Sequence, residues 1–316
     1  MSPRRQLRIV CLGGGTGLST LLRGLKTVGA QVTAIVTLTD DGGSSGRLRR
    51  DLAMPPPGDI RNCLIALAED ESLMNRLFRH RFDRGELAGH AFGNIFLAAL
   101  TEVVGSFDAA VAEVGRVLAV EGSVVPATTH PAALLAEMDD GRYVAGETAV
   151  ARDRHGVRRL FLSPADAVAN PQALAAVERA DLIVLGPGSL FTSTLPPLLV
   201  PGLGRAVLNA RGLRIYVCNL LQQPGETIGY RASNHVERLH QHVGARVIDS
   251  VMVPRRAITT DNIPVEFDRS RMAELGVRVI AAQIVAPDGF HHDPEALARA
   301  LVRAAQRRVR NGRAVR

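Results

Sequence analysis

The chain has 316 residues, 46 % hydrophobic and 22 % charged, with a formal net charge of +7. This excludes a wholly disordered chain and, by the rough ~150-residue prior, fits two domains or one large α/β domain. Apolar runs such as Ile95–Leu100 fall far short of the ~20 residues a membrane helix needs, so no membrane insertion is expected.

The apolar stretch behind Arg4, Arg5 and Arg8 is too short for a signal-peptide core, and three scattered cysteines (Cys11, Cys63, Cys218) suit neither a disulfide framework nor a cysteine-rich zinc site. A cytoplasmic protein is expected. Between Arg299 and Arg316 there are seven arginines and no acid, so the tail alone carries the charge excess. No aromatic stripe interleaves with these arginines, so nucleic acid is not the expected partner and a solvated helix face is.

Leu7–Leu12 reads as a buried parallel strand running into Gly13, Gly14, Gly15, Thr16 and Gly17, and then into leucines at helical spacing. Gln31–Leu38 reads as a second strand, completing a βαβ unit of a doubly wound sheet. Thr39–Pro57, with three glycines and Pro55 to Pro57, reads as a long loop. Helical periodicity dominates from Ile60 to Val120, with Asp59 as an N-cap candidate and turns near Gly85–Gly89 and Gly105–Asp108. Val124–Leu162 suggests a strand-rich excursion. A helix at Pro171–Arg179 precedes a strand at Asp181–Leu185, which ends in Gly186-Pro187-Gly188-Ser189. Further strands are expected at Leu213–Cys218, Arg246–Val253 and Val277–Val285, with a helix at His235–Val243. The last helix should be capped by Asp293, with Pro294 in first position.

The glycine turn at Gly13–Gly17 lets backbone approach an anion and aims helix N–H groups at it. It is neither a dinucleotide fingerprint, since position 18 is Leu18, nor a Walker loop, since no lysine precedes Ser19. Gly186, Gly188 and Ser189 repeat the strand–loop–helix logic, and two such loops at one sheet rim suit a diphosphate or nucleotide. Asp40 and Asp41 follow the second strand and suit a divalent ion bridging pyrophosphate or a sugar hydroxyl; Asp59 could complete that cluster or simply cap its helix. Asn219 ends a strand at the same rim, as a ligand contact or a local turn cap. His90 and Asn94 are hydrogen bonders or helix caps, and a capped helix start accounts for His291 and His292. No nucleophile–base pair stands at an informative spacing, so no catalytic residue is assigned.

Gly13–Gly17, Thr39–Arg47, Pro57-Gly58-Asp59-Ile60-Arg61, Gly89–Asn94, Gly186–Ser193 and Asn219–Thr227 occur in that order. Together they resemble the bacterial gluconeogenesis-factor family (YvcK type), a branch of the phospholactate-transferase-like (CofD-like) superfamily, over about residues 7–300. The resemblance implies a three-layer Rossmann-like α/β core with a mostly parallel doubly wound sheet. It implies a single domain over residues 1–316, with the helical block 60–120 inserted after the second strand and a basic helix and tail at 294–316. It also implies a UDP-sugar ligand, a UDP-N-acetylhexosamine, and a regulatory role linking central carbon metabolism to envelope synthesis and cell shape. The sister branch transfers a phospholactyl group from a guanosine diphosphate donor with a divalent ion (Mg²⁺ or Ca²⁺) held by aspartates, which correspond here to Asp41 and Asp59. Gly42–Arg47 looks like the factor branch, so the transferase reaction is the alternative. A regulatory protein partner and a homo-oligomer stay open.

Overall fold

The structure is a computed structural model that describes residues 6–69, 72–244, 246–256, 258 and 262–313. Its frame is a seven-stranded sheet, parallel throughout, formed by β1 (Arg8–Gly13), β2 (Gln31–Val36), β3 (Ser123–Pro126), β7 (Leu182–Leu185), β8 (Leu213–Val217), β9 (Ser250–Pro254) and β10 (Arg278–Ala282). The order is β10-β9-β8-β7-β1-β2-β3. Chain order runs outward from β1 in one direction and outward from β7 in the other, so the topological switch point lies between them.

Strict alternation sends strand residues to two cores. Ile9, Cys11, Leu182, Val184, Ile215 and Val217 face one layer, which holds α1 (Gly15–Lys26), α3 (Gly58–Leu67), α5 (Phe92–Val104), α6 (Phe107–Val117) and α13 (Pro294–Arg313). Val10, Leu12, Ile183, Leu185 and Tyr216 face the other, built on α8 (Pro171–Arg179), α9 (Pro196–Leu199), α10 (Leu203–Asn209) and α11 (Ala232–Val243). Both faces of each strand are therefore apolar, as a sheet covered on two sides requires. The three-layer α/β expectation holds. The three cysteines are free and buried inside it.

The strand-rich excursion forms its own antiparallel sheet of β4 (Ala133–Met138), β5 (Tyr143–Ala145) and β6 (Val157–Ser163), order β5-β4-β6, with α7 (Glu147–Arg152) between β5 and β6. Leu134, Ala136, Met138, Val150 and Leu160 pack into the second core, so the small sheet leans on the large one. α4 (Leu73–Arg79) and α12 (Arg269–Glu274) are two further short helices.

Two local expectations are corrected. Thr39–Pro57 is not a loop throughout, because it contains α2 (Gly43–Leu52). Ser44, Ser45, Gly46 and Leu48 bury one face of that helix, and tertiary packing overrides the poor helix propensity of the glycines. Asp59 is not the N-cap of its helix: Pro57 occupies that position and Asp59 lies in the first turn, its side chain aimed at the glycine turn. Residues 314–316 of the expected basic tail lie outside the described residues. No helix among the described residues is long and apolar enough to cross a membrane.

At α13 the sequence reading holds in detail, since Asp293 Oδ1 accepts the Ala296 N–H at 2.8 Å and Pro294 opens the helix. Asp293→Ala should cost about 1 kcal/mol, as lost caps do. Urea unfolding checks this, and an unchanged midpoint would contradict it.

Candidate functional site

At the carboxyl end of β1 the chain passes through extended Gly14 and enters α1 at Gly15, where φ is +66°. Only glycine takes that conformation without strain, and it turns the N-terminus of α1 onto the sheet rim. Gly17, one step further, lies flush against the loop after β7: a Cβ there would stand 2.4 Å from the Pro187 carbonyl oxygen. The two glycine loops are thus seated on each other across the switch point.

The loop after β7 is held from below. Ser193 and Thr194 N–H both donate to the Ser189 carbonyl in a π-helical turn, Leu190–Thr194. Buried Glu226 accepts the Phe191 N–H at 3.0 Å and the Thr192 hydroxyl at 2.7 Å. Burial pushes the Glu226 carboxyl above its ordinary range, and these hydrogen bonds oppose the shift. A side-chain chain then laces this loop to the one after β8. The Gly188 N–H points at Asn219 Oδ1 (3.4 Å), Asn219 Nδ2 donates to Gln223 Oε1 (2.9 Å), and Gln223 Nε2 donates to Ser189 Oγ (3.0 Å).

Together these loops wall a cavity of about 650 Å³, within the size range of small-ligand pockets. Of the residues singled out in the sequence, Gly14, Gly15, Thr16, Gly17, Gly188, Ser189 and Asn219 line it, so both glycine loops share one hollow. Gly13 ends β1 and Gly186 directly follows β7; both stand one or two residues behind the lining. The cavity also takes residues that sequence reasoning missed or set aside: Thr20, Arg23, Ser193, Phe290, His291 and His292. Thr16, Thr20 and Arg23 are spaced by four and three, one face of α1, a signal that was present in the sequence. His292 is more than part of a helix start. Its ring donates to the Cys218 carbonyl, burial lowers its pKa to about 4, and its Nε2 is buried without a partner among the described residues. A wider hollow of about 1410 Å³ at the opposite rim, bordered by Arg8, Asp181, Gly212 and Arg308, holds none of the candidate residues.

The acidic residues sit on the other flank of the glycine turn. Asp59 accepts the Gly15 N–H, and a Cβ on Gly14 would meet its Oδ2. Asp40 Oδ1 accepts the Gly42 N–H at 2.9 Å, and its Oδ2 lies against Gly58. Adjacent Asp41 turns away: its Oδ1 accepts the backbone N–H and the hydroxyl of Thr148, at 2.9 and 2.6 Å, so it ties the large sheet to α7. Glu147, unremarked in the sequence, accepts from Thr39 at 2.9 Å and completes the group. Its carboxyl is held well above the ordinary range, by burial first and then by the charges of Asp59 and Asp40. Asn94 is elsewhere again, buried at the start of α5, where its Nδ2 donates to Ser44 Oγ at 3.0 Å.

With that geometry in hand, the likenesses to known proteins are specific. The family model described as 2-phospho-L-lactate transferase CofD matches residues 9–285. The gluconeogenesis factor of Bacillus subtilis (strain 168) is 46 % identical over 308 residues, covering 93 % of this chain and 97 % of that protein. The gluconeogenesis factor of Halalkalibacterium halodurans is 42 % identical over 316 residues, covering 96 % and 98 %. A crystal structure of a Bacillus halodurans protein superposes with a TM-score of 0.92 at 42 % identity, covering 94 % of this chain and all of that one.

The carboxyl group beneath the turn gives the site a pH signature. Burial, followed by the charge of Asp40, raises Asp59 from 3.8 to about 6. Between about pH 4 and 6 the folded protein therefore keeps a proton that the unfolded chain has released, and this group's contribution to stability falls as pH rises through that window. Asp59→Asn removes the dependence. With a chelator present, the stability of the variant relative to the parent should rise between pH 4 and 7; a difference that stays flat in urea titrations would contradict the assignment.

Proposed function

The chain belongs to the CofD family and stands with its gluconeogenesis factors, and on that premise we propose that it binds a UDP-N-acetylhexosamine in the cavity between its two glycine loops. The observation that carries this reading is the seating of Gly14–Gly17 and Gly188–Ser193 on one hollow at the β1/β7 switch point. In open α/β sheets ligands bind at that crevice, and the N-terminus of α1 favours the negative charge of linked phosphoryl groups. Thr20, Arg23 and Asn219 supply polar contacts for sugar or base, and Phe290 an apolar wall. The ligand would serve a regulatory, cytoplasmic role coupling carbon metabolism to envelope synthesis and cell shape. Binding shifts the population of α2, whose N-terminus meets Asp40, and a protein partner reads the change.

A second reading rests on the aspartates. Asp40 and Asp59 offer hard oxygen donors beside the glycine turn, a set that suits Mg²⁺ or Ca²⁺ when phosphate oxygens and water supply the other ligands. Among the described residues no three His, Cys, Asp or Glu side chains are arranged to hold an ion by themselves. Asp41 would have to release Thr148 to join them. Such an ion supplies charge neutralisation on a diphosphate, which is the chemistry of a phospholactyl-type transfer. The chain's own part is to cradle the diphosphate and keep the acids at its flank.

A nucleotide panel separates the two readings. UDP-N-acetylglucosamine at about 100 Kd should stabilise the protein by about 2.7 kcal/mol, a rise of ~5 °C in Tm, while guanosine diphosphate should not. No shift at millimolar UDP-sugar contradicts the first reading, and a guanosine-only shift favours the second. Gly17→Ala, which drives a methyl into the Pro187 carbonyl, should weaken UDP-sugar binding at least ~10-fold. Titration calorimetry measures this.

A further inference from the structure

Beside the nucleotide cavity lies a polar site that the reading above leaves unused. Arg61, on α3, is 9 % exposed. Its Nη2 donates to Asn62 Oδ1 at 2.7 Å, but its Nε and Nη1 are buried without a hydrogen-bond partner among the described residues. Asp40 and Asp59 act on it through space, yet among the described residues no carboxylate forms an ion pair with it. Asn94, 1 % exposed, spends its Nδ2 on Ser44 Oγ and so joins the start of α5 to that of α2. A buried guanidinium with two idle nitrogens is costly unless something else completes it.

The surroundings say what that something is. Three helix N-termini meet here. Ser44 Oγ of α2 accepts from Asn94 Nδ2 of α5 at 3.0 Å, and Gly58 of α3 lies against Ser45 Oγ of α2. Gly93 of α5 packs flush on the Arg61 side chain. The N–H groups of Gly43, Ser44, Ser45 and Gly93 make no hydrogen bond within the described residues. The side facing solvent is basic, with exposed Arg81 and half-exposed Arg47 held on the turn before α5 by the carbonyls of Gly89 and Ala88. Converging N-termini and an arginine with free donors are the recognition chemistry of a tetrahedral oxyanion.

We propose that Arg61, Asn94 and the N-termini of α2 and α5 form a second anion site, which takes the phosphate group of a small phosphorylated metabolite while the glycine cavity holds its own ligand. The site stands on the orphaned donors of Arg61 and on the free N–H groups at the starts of α2 and α5, and does not require the nucleotide reading to be right; only its independence from the first site refers to it.

Inorganic phosphate, exchanged against chloride at constant ionic strength, is the probe. The thermal midpoint of the full chain should rise with phosphate, and should rise further with phosphate when UDP-N-acetylglucosamine is saturating. Arg61→Lys and the near-isosteric Asn94→Asp, which places a charge opposing the anion, should each weaken the phosphate response at least ~10-fold and leave the UDP-sugar response in place. A phosphate ester of a sugar should match or exceed free phosphate. No phosphate response in the parent chain overturns the proposal. So does a response that both variants retain, or one that vanishes under saturating UDP-sugar and so belongs to the first cavity. Failure of UDP-sugar to bind bears on the nucleotide reading alone, since the phosphate series is read without it.

Discussion

The site depends on one close approach: Gly17 of α1 resting on the Pro187 carbonyl, with no room between them for a side chain. Two strands that neighbour each other in space but lie about 170 residues apart in sequence, β1 and β7, deliver their loops to this contact. A parallel sheet makes it available, because all seven carboxyl ends point to one rim and the order in which strands are added reverses between these two. Glu226 and the Asn219–Gln223 pair then fix the second loop from the side, so the cavity is walled by hydrogen-bonded backbone.

Electrostatics divides the rim. On the β7 side of the glycine turn the lining is neutral or basic, with Arg23 and a His292 that burial keeps neutral at physiological pH. On the β2 side Asp59, Asp40 and Glu147 lie together, and burial, reinforced by the neighbouring carboxylate charges, lifts the carboxyls of Asp59 and Glu147. Beyond them lies Arg61, held down to about 10 by burial and by Arg81. An acidic group of this kind suits a cation or a proton better than an anion.

Much of this was legible before any coordinates. Period-two burial and the glycine turn announced the βαβ unit, and Pro171–Arg179 matches its expected helix residue for residue, because Asn170 caps it and Pro171 opens it. The glycine loops were legible as close-packed turns at the sheet rim, because a crowded backbone needs such sequences. What escaped was tertiary. The helix at Gly43–Leu52 has a glycine-rich sequence and exists because Leu48 and Ser44 are buried against neighbours. The divergence of Asp40 from Asp41 is set by Thr148, 107 residues away. His292 read as part of a capped helix start, which it is, but the carbonyl of Cys218 turns its ring into the cavity wall, and linear spacing carries no trace of that.

The central claim is that the two glycine loops hold one ligand together. Hydrogen exchange on the full chain, with and without saturating UDP-N-acetylglucosamine, tests it segment by segment. The account predicts slowed exchange in peptides spanning residues 13–20 and 186–195 at once, with residues 205–213 at the opposite rim unchanged. Protection at only one of the two loops, or confined to that opposite rim, would contradict it.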